Sequence, residues 1–145
     1  MGFTALQLCQ RLGTVGASGT RDYVLERFKG GKLIPLPLFG RLGIGFYSAF
    51  GVSRRIKVVT KSRPHAQQYV WQWETGKSEF SIEYDHDFIH GRLYCGTKVL
   101  CFLEDEWMEF LEETRLESHL DLYAHMINSS ITLVTKRCYG EYVAV

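Results

Sequence analysis

The chain has 145 residues, 46% of them hydrophobic, and its 17 Lys and Arg against 16 Asp and Glu leave a formal charge of +1. That length and apolar content suit one globular domain with a core of its own. So even a charge balance excludes a broad electrostatic footprint for nucleic acid or an anionic membrane, although a local basic patch is not excluded.

No apolar run approaches the roughly 20 residues that cross a bilayer, and the first residues lack the basic start, apolar core and small-residue cleavage site of a secretory signal. A cytoplasmic chain is expected. Cys9, Cys95, Cys101 and Cys138 contain no Cys-x-x-Cys pair, so buried thiols are expected rather than disulfides or zinc ligands.

Residues 4–12 carry Leu6, Leu8, Cys9 and Leu12 at helical spacing, with Thr4 as N-cap and Gly13 as the stop. A link rich in glycine and hydroxyls follows, from Gly13 through Thr14, Gly16, Ser18 and Gly19 to Thr20. Residues 21–28 then predict a short amphipathic helix bearing Tyr23, Val24, Leu25 and Phe28, ended by Gly30 and Gly31. Pro35 and Pro37 exclude regular helix between residues 33 and 38.

The stretch Gly40-Arg41-Leu42-Gly43-Ile44-Gly45-Phe46-Tyr47-Ser48 is the most informative. Its glycines permit backbone angles closed to other residues and let a ligand approach the main chain. If residues 46–52 open a helix, unpaired N–H groups and the positive end of the helix dipole meet at one spot, which is a candidate phosphate cradle. The plainer reading is a turn.

Residues 55–60 alternate as a strand, with Ile56, Val58 and Thr60 opposed to Lys57, Val59 and Lys61. Residues 68–74 place Tyr69, Trp71 and Trp73 on one face, and residues 79–85 do the same with Phe80, Ile82 and Tyr84. Linkers containing Pro64 and Gly76-Lys77 are short enough for antiparallel hairpins. Trp71 and Phe80 read either as core aromatics or as pocket lining. His86 and His90, beside Asp85 and Asp87, have a spacing that suits metal ligation only on a helix, and the local pattern reads as a solvated loop.

Residues 96–104 are apolar on both faces through Val99, Leu100, Cys101, Phe102 and Leu103, which predicts a central strand. Two helices are expected next, with Trp107, Phe110, Leu111 and Thr114 on one stripe and Leu116, Leu120, Tyr123 and Ile127 on the other. Glu106, Glu109, Glu112, Glu113 and Glu117 read as a solvated face. Residues 131–135 supply a last strand.

The glycine stretch resembles the glycine motif of the ninety-kilodalton heat-shock chaperones, whose N-terminal ATPase domain shares a superfamily with type II topoisomerases and sensor histidine kinases. Collinear segments are similar too: Gly2-Phe3-Thr4 through Leu12-Gly13-Thr14, Ser18-Gly19-Thr20, Tyr69-Val70-Trp71, Gly96-Thr97-Lys98-Val99, Leu103-Glu104-Asp105, Phe110-Leu111-Glu112-Glu113 and Ile131-Thr132-Leu133. The resemblance spans nearly the whole chain.

It implies an α+β two-layer sandwich, a mostly antiparallel sheet covered on one face by helices, with residues 1–145 as a single partial domain and residues 13–42 as a lid-like segment. It further implies a molecular chaperone that binds ATP with Mg2+ and works on unfolded client proteins with co-chaperones. The nucleotide-contacting positions it points to are Leu12, Gly40, Gly43, Ile44, Gly45, Phe46 and Thr97. A Thr at position 97 either helps bind adenine through a water or satisfies a neighbouring group.

The family's catalytic Glu, its metal-associated Asn and the Asp of its Asp-x-Gly-x-Gly motif have no counterpart here, because Gly2 matches the last glycine of that motif. Ala17 stands where the family usually has Lys, and Arg11 where an Asn often stands. The chain alone is therefore expected to be inactive in hydrolysis. The alternatives are a non-ATPase interaction or regulatory module, or a nonfunctional truncated paralogue.

Overall fold

The computed structural model describes residues 2–31, 40, 42–126, 131–136 and 142–144, and the chain divides into two compact units, Met1–Glu104 and Asp105–Val145. The expected helix-free stretch at residues 33–38, together with Arg41, Ile127 and Cys138, lies outside the described residues.

In the first unit, helix α1 spans Ala5–Leu12. Thr4 and Gln7 form a capping box that satisfies both of their backbone amides: the Thr4 hydroxyl accepts from the Gln7 N–H at 3.2 Å, and the Gln7 side chain accepts from the Thr4 N–H at 2.9 Å. Helix α2 spans Gly19–Lys29, N-capped by Ser18, whose hydroxyl accepts from the Arg21 N–H at 3.1 Å. A 3-10 helix covers Gly45–Gly51. Strands β1 (Ser53–Lys61), β2 (Gln68–Glu74), β3 (Ser81–Tyr84) and β4 (Gly96–Leu103) form an antiparallel sheet in the order β3-β2-β1-β4.

One face of that sheet meets α1, as an α+β fold with helices on a mostly antiparallel sheet requires. Leu8, Ile56, Val58 and Trp71 are buried together, and Phe46, Ala49, Phe50 and Phe80 pack against them. Trp71 stacks on Phe80 with ring centroids 5.6 Å apart, so both of these aromatics are core. The 3-10 helix contributes because Phe46 and Phe50, four residues apart, both reach Trp71 edge-on.

The opposite face is covered by the loop at residues 85–93, which Gln68 fastens. Its side-chain N–H groups donate to the Asp85 carboxylate at 2.7 Å and to the Gly91 carbonyl at 3.0 Å, and its oxygen accepts from the Leu93 N–H at 2.8 Å. Val59 and Asp85 are buried there, so the loop expected to be solvated is partly internal. Among the described residues no group of three or more His, Cys, Asp or Glu is placed to hold a metal.

In the second unit a 3-10 helix at Asp105–Leu111 precedes helix α3 (Glu113–Tyr123) and a further 3-10 turn at Ala124–Met126. Strands β5 (Val134–Lys136) and β6 (Tyr142–Ala144) pair antiparallel. Glu109 binds Arg115 with contacts of 2.6 and 3.0 Å.

Several expectations are corrected. Residues 46–52 and the Trp107 stripe form 3-10 rather than α-helix, because segments of only seven residues gain little from α-helical cooperativity and their aromatics are placed by tertiary contacts. On α1 only Leu8 is buried and Leu12 half-buried, while Leu6 and Cys9 are exposed, so the contact stripe is one residue wide. Helix α2 buries no residue. Cys9, Cys95 and Cys101 are free but exposed, not buried. Strand β4 is an edge, not a central strand, among the described residues: apolar residues on both faces report what a strand is able to bury, not which neighbour the fold supplies.

Leu8→Ala should lower the unfolding free energy by about 2–5 kcal/mol, whereas Leu6→Ala should stay within about 0.5 kcal/mol. Urea titrations of the two variants check this.

Candidate functional site

The glycine stretch, the end of α1 and the start of α2 converge on one cleft. Its volume is about 550 Å³, within the range of small-molecule sites. Among the described residues its walls are Phe3, Gln7, Arg11 and Leu12 from α1 and its approach, Ala17 to Thr20 from the α2 start, and Gly40, Gly43, Gly45, Phe46 and Tyr47.

Local contacts fix each wall. Gly13, capping α1, has no room for a Cβ, which would meet the Cys9 carbonyl and come within 2.6 Å of the Phe80 ring. Gly43 adopts φ 64, and a Cβ there would lie 2.6 Å from the Ala17 carbonyl oxygen. Its own carbonyl accepts from the Gly16 N–H at 3.2 Å, so the glycine motif and the α1–α2 link are laid backbone on backbone. Ser18, buried, donates its hydroxyl to the Gly40 carbonyl at 2.5 Å. The Tyr47 hydroxyl donates to the Leu12 carbonyl at 2.8 Å and ties the 3-10 helix to the end of α1.

Arg11 carries the one charge among the described lining residues, and no carboxylate is among them. Its guanidinium contacts the Asp22 carboxylate at 2.5 Å, with side chains 30% and 46% exposed respectively. The Tyr47 N–H is spent on the Ile44 carbonyl at 3.0 Å. Among the described residues the amides of Gly43, Gly45 and Phe46 donate to no main-chain carbonyl. The dipole part of the expected cradle falls away, since a seven-residue 3-10 helix offers no α-helical N-terminus. What remains is a set of amides and one guanidinium.

Of the residues singled out from the sequence, Leu12, Gly40, Gly43, Gly45 and Phe46 line this cleft. Ile44 is 51% exposed and outside its lining, as is Thr97. The Thr97 hydroxyl lies 2.9 Å from that of Thr60, which accepts from the Phe3 N–H at 2.8 Å and donates to the Gly96 carbonyl at 3.1 Å. Thr60 has a single hydroxyl proton, so Thr97 donates in their shared bond. A Cβ on Gly2 would overlap the carbonyls of Lys61 and Gly96, so the chain enters here where only glycine fits.

No family model matches the chain. Chaperone protein HtpG of Roseobacter denitrificans is 35% identical over 129 residues, 89% of this chain and 20% of that protein. The endoplasmin homolog of Hordeum vulgare is 35% identical over 133 residues, 92% of this chain and 16% of the relative. Heat shock protein 90-6, mitochondrial, of Arabidopsis thaliana is 32% identical over 147 residues, all of this chain and 18% of the relative. The chain belongs to the ninety-kilodalton heat-shock chaperone family. It spans about a fifth of the length of these relatives.

Within this heat-shock chaperone chain, Arg11 is the lining residue that motif reading undervalued. Its identity stood out only as a departure from the family pattern, yet Gln7 and Arg11 are four apart on α1 and share a face, and the Gln7 capping bond shows which end of that face is fixed. Ser18 and Thr20 were legible as parts of a hydroxyl-rich link and Tyr47 as part of the glycine stretch; their place in the cleft depends on contacts between segments distant in sequence.

Two outcomes follow. Gly43→Ala should cost at least about 1–2 kcal/mol, the penalty for an L-residue in left-handed geometry, before the clash with Ala17 is added; Gly45→Ala, with open space at its Cβ, should not destabilise. Thermal melts separate the two. Burial pushes the Tyr47 phenol above its ordinary 10.0, so its contribution is complete below that pH and is lost as pH rises past it. Tyr47→Phe should cost about 0.5–1.5 kcal/mol near neutral pH and flatten the decline in stability in alkali, read from denaturation curves at both pH values.

Proposed function

We propose that this chain contributes the phosphate-side wall of a chaperone nucleotide site: it binds ATP, and takes part in ATP-dependent folding of unfolded client proteins with co-chaperones, where the residues it lacks are supplied. The observation that carries this reading is one cleft lined by Arg11 and by Gly43, Gly45 and Phe46, whose amides donate to no main-chain carbonyl among the described residues. Backbone N–H groups and a guanidinium are the donors that phosphate oxygens need.

The lining residues fit a triphosphate better than they fit its metal. Magnesium is held by carboxylates and by the phosphates it bridges, and the side chains of the described lining offer only the neutral oxygens of Gln7, Ser18, Thr20 and Tyr47. No general base lines the space either, so no step of water activation is assigned to this chain. Its part is to bind and orient. Arg11 would neutralise phosphate charge where Ala17 brings none, the glycine amides would fix the oxygens, and Phe46 and Leu12 would exclude water from one side.

Isothermal titration of the chain with magnesium-ATP, alone and supplied with a family segment carrying Asp-x-Gly-x-Gly, tests the proposal. Binding is expected at least in the supplemented sample. Arg11→Ala should weaken it by about 10- to 100-fold, as loss of a charged hydrogen bond does, and Gly45→Ala, which keeps its amide but adds bulk beside it, should weaken it too. No heat in either sample, or binding indifferent to both substitutions, overturns it.

A further inference from the structure

A second pocket, of about 260 Å³, lies where β1 turns into β2, and it shares no lining residue with the cleft described above. Lys61 ends β1 and stands directly opposite Gln68, which begins β2, so their side chains share the sheet face away from α1. The Gln68 carboxamide holds the Gly91 carbonyl at 3.0 Å and the Leu93 N–H at 2.8 Å. These are the two chain neighbours of Arg92, which is thereby pinned beside the end of β1. His65 comes from the turn between the strands, which the Ala66 N–H closes onto the Arg63 carbonyl at 3.1 Å. Lys61, His65 and Arg92 all line the pocket. The Arg92 guanidinium lies over the Phe88 ring, 5.3 Å from its centroid, and Phe88 is the one non-glycine residue with positive φ among those described, at 50°.

The decisive group is Lys61, which is only 5% exposed. Among the described residues its ammonium has no hydrogen-bond or ion-pair partner, yet it is not sealed off, so it opens into the pocket it lines. A charge stripped of most of its water is costly unless something pairs with it. Asp85, buried in the neighbouring loop, does not serve: one of its oxygens accepts from Gln68 at 2.7 Å, the other from the Ile89 N–H at 3.3 Å, and it is not in the lining. No Asp or Glu lines the pocket among the described residues, and neither His65 nor Arg92 forms an ion pair there. In a chain whose 17 Lys and Arg nearly balance 16 Asp and Glu, this is a local excess of positive charge.

The donors differ in shape. Lys61 offers a compact ammonium, Arg92 a flat fork and His65 a directed ring N–H. A carboxylate brings one charge and two oxygens in a plane, whereas a phosphate ester brings about 1.5 to 2 charges on three splayed oxygens and is able to meet all three donors. Tyr84 and Phe88 set aromatic rings beside the basic groups, surface on which an apolar ester group would rest. The volume falls just below that of drug-sized ligand sites, which suits a small ligand.

We propose that Lys61, His65 and Arg92 form an anion site for the phosphate group of a small molecule, separate from the glycine-lined cleft.

The full chain, labelled for amide NMR, is titrated with phenyl phosphate, inorganic phosphate and benzoate. Phenyl phosphate should shift the Ala66 and Arg92 amides saturably and bind at least about tenfold more tightly than benzoate, which carries the same ring with a single charge. Inorganic phosphate should shift the same amides. Tighter binding of the ester names an organic monoester as the ligand, and tighter binding of the free ion names phosphate itself. Arg92→Gln, and Lys61→Met, which keeps the buried stem without its charge, should each weaken phenyl phosphate at least about tenfold. Without ligand, Lys61→Met should melt no lower than the unsubstituted chain, and it should lose the rise in melting temperature that phenyl phosphate gives that chain. Shifts confined to Gly43 and Gly45, affinity equal to that of benzoate, binding indifferent to both substitutions, or no saturable shift overturns the proposal. Should Lys61→Met fail to fold, Arg92→Gln on an exposed side chain still decides.

Discussion

Strand β1 is the constraint on which the first unit rests, because it is bonded along both edges and covered on both faces. Ile56 and Val58 reach Leu8 of α1 and Trp71, while Val59, on the other face, is fully buried. The hydroxyl of Thr60 joins Phe3, Gly96 and Thr97 at the strand's far end. Position of the cleft follows from this: Phe3 opens the segment leading into α1, and α1 can lie only where Leu8 finds Ile56 and Val58.

The glycine motif is then set against that framework by contacts that need the absence of side chains. Gly43 against the Ala17 carbonyl is a structural requirement, and Gly45, with open space around its missing Cβ, is not. A family motif that looks uniform in sequence thus divides into a residue that builds the cleft and one that packing does not require. Arg11 lines the same cleft and pairs with Asp22.

Much of the sheet was legible because strand alternation is local: the bounds of β2 and the opposed sets on β1 follow from residue type alone. So was α1, whose Thr4 cap and Gly13 stop are local signals. Less legible were features decided by what packs elsewhere. Cys9 and Leu6 are apolar residues on a helix whose buried stripe is only as wide as the facing strands allow, and they stay outside it. The aromatic run from Phe46 to Phe50 carried no signal for 3-10 over α geometry, which depends on how Trp71 receives both rings. Nor did any pattern reveal that Asp85 is buried, since that rests on a carboxamide seventeen residues away. At the site, the collinear motif resemblance located five of the seven residues in one cleft, while Ile44 and Thr97 needed the chain path to be seen.

Helix α2 is attached differently from α1. It buries no residue fully, and among its ties to the body are the Ser18 hydroxyl on Gly40 and the Arg11–Asp22 pair. Detachment would uncover little oily surface and so carries a small heat-capacity change. Its docked fraction should respond weakly to warming but readily to dissolved ions, since a half-solvated charge pair is shielded by electrolyte. The docking of α2 is in this sense governed by the medium's ionic composition, whereas the sheet and α1 are governed by water's aversion to hydrocarbon.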